Sequence, residues 1–166
     1  MSNQPSDVSA TSPFRLDGHR ALVTGGTQGV GAAIATSIAR AGGDVLLLGL
    51  KDDDSAQRTL ASCRDLGVMA DLLTIDLAQP PPRYIDSLMD QIDEKMPGID
   101  LLVNNAGTYI DPPFFELDFE CFEKTMQLNV AAGFFLTQSI SRRWVEQKVQ
   151  GRVLFTGSIN GLLAEP

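Results

Sequence analysis

Ala21-Leu22-Val23-Thr24-Gly25-Gly26-Thr27-Gln28-Gly29-Val30-Gly31 is a short apolar run that breaks into a glycine-rich turn. A helix-like stretch from Ala32 to Ala41 follows at once and is closed by Gly42 and Gly43. A strand that runs through glycines into a helix N-terminus is a phosphate cradle. Glycine lets the backbone approach a ligand with no Cβ in the way. The first helical N–H groups, at the positive end of the helix dipole, then face the anion. The spacing is T-G-x-x-x-G-x-G rather than G-x-G-x-x-G, but the strand before it and the helix after it are what a dinucleotide fingerprint requires. A nucleotide is therefore expected on Gly25, Thr27, Gln28, Gly29, Val30 and Gly31.

Outward from this loop the chain alternates. Arg20 to Thr24 reads as a first buried strand. In the helix that follows, Ile34 and Ile38 share a face, and the small Ala35 and Ala39 allow close packing on a sheet. Asp44 to Leu50 is a second strand whose unbroken apolar run implies burial on both faces. Asp54 or Ser55 can cap a helix running to Leu66, with Gly67 at its C′ position. Val68 to Ile75 is a third strand, interrupted by Asp71. Pro80 to Pro82 open a helix in which Ile85, Leu88, Met89 and Ile92 recur at helical spacing. Pro97-Gly98 stops it, and Ile99 to Asn104 is the fourth strand. Asp118 caps a long helical stretch through Lys148, and Arg152 to Thr156 is the fifth strand. Strands alternating with helices imply right-handed crossovers and one doubly wound parallel sheet.

Composition narrows the partners. A chain of 166 residues suffices for one domain. The net charge of −8 argues against nucleic acid and anionic membrane surfaces. It leaves a nucleotide open, because backbone amides meet the phosphates locally. Two distant cysteines, Cys63 and Cys121, and the single His19 exclude a structural zinc site and argue against a disulfide framework. That fits a reducing compartment, and a cytoplasmic location is expected. Residues 1–13 are polar and lack a basic start or an apolar core, so they read as a disordered tail rather than a signal peptide. No run of 18 apolar residues is present to span a membrane. Residues 14–166 are read as one dinucleotide-binding domain.

The Thr24–Gly31 loop and Asn104-Asn105-Ala106-Gly107, at the end of the fourth strand, together resemble the short-chain dehydrogenase/reductase family. Asp76-Leu77 looks like that family's adenine-contacting pair. Asn129, within Leu128-Asn129-Val130, matches its asparagine on the long helix. Thr156-Gly157-Ser158-Ile159-Asn160-Gly161 matches the segment carrying its catalytic serine, which falls on Ser158. The resemblance implies a Rossmann-type α/β fold, here with five strands in the order 3-2-1-4-5 and the C-terminal part of the family fold missing. It implies hydride transfer between a nicotinamide cofactor and an alcohol or carbonyl substrate, in a protein that forms a homo-oligomer at full length. Ser158 would hold the reacting oxygen in line. Asn129 would kink its helix and hold a water that relays protons. Cofactor contacts would come from the glycine loop, Leu50, Lys51, Asp76, Leu77, Asn104, Ala106 and Gly107.

Two departures qualify this. The family's Tyr-x-x-x-Lys motif is not found: Tyr84 and Tyr109 are the only tyrosines, and neither has a lysine four residues later. A general acid–base group contributes about 10²–10⁴-fold, so the 166-residue chain alone is expected to be inactive. It reads either as an oxidoreductase complete only in a longer chain, or as a nucleotide-binding module or inactive fragment. A shortened fold would leave Val153, Leu154 and Phe155 on an open edge strand, and Ala131, Phe134, Phe135 and Ile140 on an unpartnered helix face. Gly49 and Leu50 stand where an acidic residue would select NAD or a basic one NADP, so the cofactor is NAD or NADP. Asp52 reads as part of a helix-start cluster rather than a ribose ligand. With no strand-end carboxylate to repel a 2′-phosphate, the reading leans to NADP. Thr108 to Phe115 and Leu162 to Pro166 would line one wall of a substrate pocket.

Overall fold

The computed structural model describes residues 13–161, so most of the expected N-terminal tail and the wall residues Leu162 to Pro166 lie outside it. The apolar runs form five strands, β1 Arg20–Thr24, β2 Asp44–Gly49, β3 Ala70–Thr74, β4 Leu101–Asn104 and β5 Arg152–Phe155. All pairings are parallel and the order is β3-β2-β1-β4-β5, as expected. The crossovers are α1 Gly29–Arg40, α2 Asp54–Arg64 and α3 Ile85–Lys95. Between β4 and β5 lie α4 Phe119–Met126 and α5 Ala132–Gln147, joined by a π turn at Gln127–Ala131.

Helices cover both sheet faces. On one side Val23, Val45 and Leu47 meet Ala35, Ile38 and Ala39 of α1 and Ala56, Leu60 and Cys63 of α2. On the other, Leu22, Leu46, Leu48 and Leu102 meet Leu88 and Ile92 of α3 and Leu136, Ile140 and Trp144 of α5. Strand β2 shows why its sequence is continuously apolar: every residue after Asp44 is buried. In α1 it is Ala35, Ile38 and Ala39 that face inward, while Ile34 stays half-buried at the flank.

Several local readings are corrected. Helix α2 is capped by Asp53, not by Asp54 or Ser55. Its carboxylate accepts from Ser55 N and Ala56 N, both at 3.0 Å, because Asp53 is the last extended residue before the turn. Gly67, at φ +83°, lies beyond the C-cap Asp65 rather than next to it. The helix after Asp118 is capped by that residue as expected and runs without a break to its C-cap Lys148, with the π turn as a local widening inside it. Ile140 is buried at 3 % exposure, contrary to its expected place on an open face. It lies four residues from both Leu136 and Trp144, on the stripe that meets the sheet. Phe134 and Phe135 are exposed as expected, and so are Leu154 and Phe155 of β5, whereas Val153 is half-buried against the core. No helix among the described residues is long and apolar enough to cross a membrane.

Candidate nucleotide site

The carboxyl ends of β1, β2 and β4 carry the glycine loop, the Gly49-Leu50-Lys51 turn and the asparagine turn to one rim of the sheet, where ligands of open α/β sheets bind. The loop is folded to closer tolerance than its sequence discloses. A Cβ on Gly31 would lie 2.0 Å from the Gly25 carbonyl oxygen, so only glycine lets α1 start there. Gly25, at φ +62°, presses against Ala106, where an added Cβ would stand 3.0 Å from its Cα. Gln28 is the N-cap of α1 in extended conformation with no side-chain cap of its own. That leaves the first helical N–H groups without a side-chain acceptor, as an anion cradle needs. Val30 stands exposed at the mouth.

The loop is held from below by Thr24 and Asn105. The buried Thr24 hydroxyl accepts from the backbone N–H of Asn105 and of Ala106, both at 2.9 Å. The Asn105 side chain donates to the carbonyls of Thr24 at 3.1 Å and Gly25 at 3.3 Å. Asn105, not Asn104, is thus the amide that ties the two motifs together. Asn104 turns inward: it is buried and donates to Thr137 Oγ1 at 3.0 Å, while its own Oδ1 has no partner among the described residues. It does line a small cavity of about 30 Å³ with Thr24, Leu77, Ala106, Asn129 and Thr156. That buried acceptor and the polar rim suit a bound polar group.

Asn129 sits in the π turn, accepts from Thr108 N and donates to Thr108 O, each at 2.8 Å. Gly107 lies beneath it, a Cβ there falling 3.4 Å from Asn129 Oδ1. Leu77 is buried, whereas Asp76 is exposed and closes its own turn by accepting from Ala78 N and Gln79 Nε2. Its charge, after burial, helps raise the Tyr84 phenol to about 12. Tyr84 therefore stays protonated at neutral pH. Leu50 and Lys51 are exposed beyond β2. Asp52 is engaged by Gln57 Nε2. Ser158 is exposed just before a short 3₁₀ turn, outside the residues lining the small cavity.

One contributor, Thr59, carries no motif in the sequence. The Thr59 hydroxyl of α2 lies 3.0 Å from the Thr27 carbonyl oxygen. Thr27 in turn packs over Gly49, where an added Cβ would come within 2.5 Å of its Cγ2. The available signal was a threonine set in the inward stripe Ala56, Leu60, Cys63 of an otherwise polar helix.

Comparison with known proteins agrees with this geometry. The family described as short chain dehydrogenase matches residues 19–166. L-rhamnose 1-dehydrogenase (NADP(+)) of Thermoplasma acidophilum is 32% identical over 145 residues, covering 86% of this chain and 56% of that protein. Gluconate 5-dehydrogenase of Gluconobacter oxydans is 31% identical over 156 residues, covering 92% and 58%. The chain thus spans little more than half the length of these relatives. Among solved structures, a short-chain dehydrogenase from Burkholderia cenocepacia in complex with NADP superposes with a TM-score of 0.81 at 34% identity, over 92% of this chain and 60% of that one. A short-chain type dehydrogenase/reductase from Mycobacterium marinum gives 0.83 at 29% identity, over 92% and 60%.

Proposed function

Since the chain belongs to the short-chain dehydrogenase family, we propose that it forms the cofactor-binding part of an NAD(P)-dependent oxidoreductase, with NADP preferred, acting on an alcohol or carbonyl substrate. The observation that carries this is the glycine loop locked against the Asn105-Ala106 turn, with contact distances only glycine permits at 25 and 31. The nicotinamide, when bound, supplies the hydride chemistry. The chain's own part is binding and orientation. Glycine-loop N–H groups meet the pyrophosphate, with Thr27, Gln28, Gly29 and Val30 around it. Leu50 and Lys51 face the adenosine ribose, and no carboxylate stands at Gly49 to repel a 2′-phosphate. Leu77 forms the apolar bed for the adenine, with Asp76 beside it, and Asn104, Ala106 and Gly107 line the inner cleft. Ser158 hydrogen-bonds the reacting oxygen, and Asn129 shapes the helix next to it.

Within these 166 residues no tyrosine is followed four positions later by lysine, so the acid–base partner of Ser158 is not supplied. The reading is of binding without turnover in this chain, with catalysis belonging to a longer, homo-oligomeric protein in the cytoplasm. That same sequence fact favours a second reading, a nucleotide-binding module with no catalysis of its own. Fluorescence titration with NADPH and NADH tests the first part: saturable binding with NADPH the tighter is expected, and no binding at millimolar nucleotide overturns it. Turnover at ordinary dehydrogenase rates by the 166-residue chain would overturn the second.

A further inference from the structure

We propose that Thr59, on α2, is a positioning residue for the nucleotide loop, acting through the Thr27 carbonyl on the adenosine side of the site. The inference rests on the cofactor reading above. The glycine loop has two faces to be held. From the β4 side, Asn105 and Thr24 fix the stretch up to Gly25. Asn105 also abuts Gly31, where an added Cβ would fall 2.6 Å from its Nδ2, but Thr27 between these points must be held as well if the loop is to be presented to the ligand in one shape.

Two contacts supply the second hold. Thr59, itself only 7 % exposed, places Oγ1 3.0 Å from Thr27 O across 32 residues of sequence. The Thr27 side chain occupies the space above Gly49, 2.5 Å from where a Cβ would be. Thr27 is thus gripped by its backbone from α2 and by its methyl from the end of β2. A β-branched side chain has few rotamers, so this grip sets the Thr27 backbone and the direction of the next residue, Gln28, the N-cap of α1.

A competing partner exists. The same hydroxyl lies 3.1 Å from Ser55 O, one helical turn back, and it has a single proton to give. Donation to Ser55 alone would make Thr59 an ordinary helix residue with no influence on the loop. Donation to Thr27 makes α2 a brace for the nucleotide site. The two differ in what they predict for ligand affinity, since both affect stability.

The test is titration of NADPH and of 2′,5′-ADP against the wild-type chain, Thr59→Val and Thr59→Ser, with thermal unfolding of each. Valine keeps the shape and removes the donor; serine keeps the donor. Thr59→Val is expected to weaken both ligands about three- to tenfold, the range for one lost hydrogen bond. Thr59→Ser should stay within about twofold of wild type. Native-state hydrogen exchange adds a readout that needs no ligand. The Gly26 amide, bonded to Leu48 O at 3.3 Å, should exchange faster in Thr59→Val than in Thr59→Ser. Unchanged affinity in Thr59→Val, or equal weakening by both variants, overturns the brace. Failure of the wild-type chain to bind NADPH overturns the cofactor reading instead, and hydrogen exchange then decides the brace on its own.

Discussion

Asn129 and Thr108 bond to each other twice, side-chain amide to backbone N–H and to backbone C=O, both at 2.8 Å. An amide used this way mimics a neighbouring strand. It pins the loop after β4 to the π turn between α4 and α5, and so fixes the distance between the asparagine turn and the helix. Asn129→Ala should remove both bonds and lower stability by about 1–2 kcal/mol. Asn129→Asp should not restore it, because one bond would become two facing oxygens. Urea unfolding of the three proteins, with hydrogen exchange at the Thr108 amide, measures this.

Gly31 and Gly29 differ in why they are glycine, and the difference is measurable. A Cβ at Gly31 meets the Gly25 carbonyl at 2.0 Å, whereas at Gly29 it meets nothing within 4 Å and only the φ of +54° resists. Gly31→Ala should destabilise by about 2–3 kcal/mol through forced displacement of the loop. It should also weaken NADPH binding at least tenfold, by the figure of 1.4 kcal/mol per decade. Gly29→Ala should show only the left-handed backbone penalty, about 1–2 kcal/mol. Equal effects in calorimetry and titration would contradict the contrast.

Trp144 is the only tryptophan, and its ring lies flat against Gly151, where a Cβ would fall 2.1 Å from Cε3. Its indole N–H donates to Ile99 O at 2.6 Å, tying α5 to the residues before β4. Gly151→Ala should push the ring outward, shift its fluorescence emission to longer wavelength and lower stability by about 1–3 kcal/mol. An emission spectrum identical to wild type would show that the ring had room after all.

Asp71 and Lys95 give a pH dependence of definite sign. Partial burial raises the Asp71 carboxyl, but the Lys95 ammonium at 2.9 Å and the Leu72 N–H outweigh it and hold the pKa below the usual value. A pKa lowered on folding contributes stability that is present above the unfolded value of about 3.9 and lost as pH falls through the folded one. Asp71→Asn should therefore be less stable than wild type at pH 7, by no more than about 1 kcal/mol for so exposed a pair. The gap should close as pH drops below about 4, and shrink in high salt. Thermal melts across pH 2–7 check it.

The sequence disclosed those parts of the fold that depend on neighbours along the chain. Alternating apolar runs placed the five strands, and the glycine spacing with the Asn104–Gly107 turn placed the site at their carboxyl ends. What stayed hidden depends on neighbours in space. Asp52, Asp53, Asp54 and Ser55 are all competent caps by type, and only the point where the backbone leaves extended geometry selects Asp53. Asn104 and Asn105 are chemically identical, and strand alternation sends the first inward to Thr137 and leaves the second to hold the loop. Ile140 falls in line with Leu136 and Trp144, one helical turn away on either side, and so lies away from Phe134 and Phe135 within the same helix. Thr59 gave almost no signal, since its partner lies 32 residues away.

The close fit of the Thr27 methyl above Gly49 couples these two positions sterically. A lineage that acquires any larger residue at 49 must turn or shrink residue 27 in the same step, or pass through an intermediate with a distorted loop. Positions 27 and 49 are therefore expected to substitute as a pair, and a one-residue exchange aimed at nucleotide preference should fail where the paired exchange succeeds.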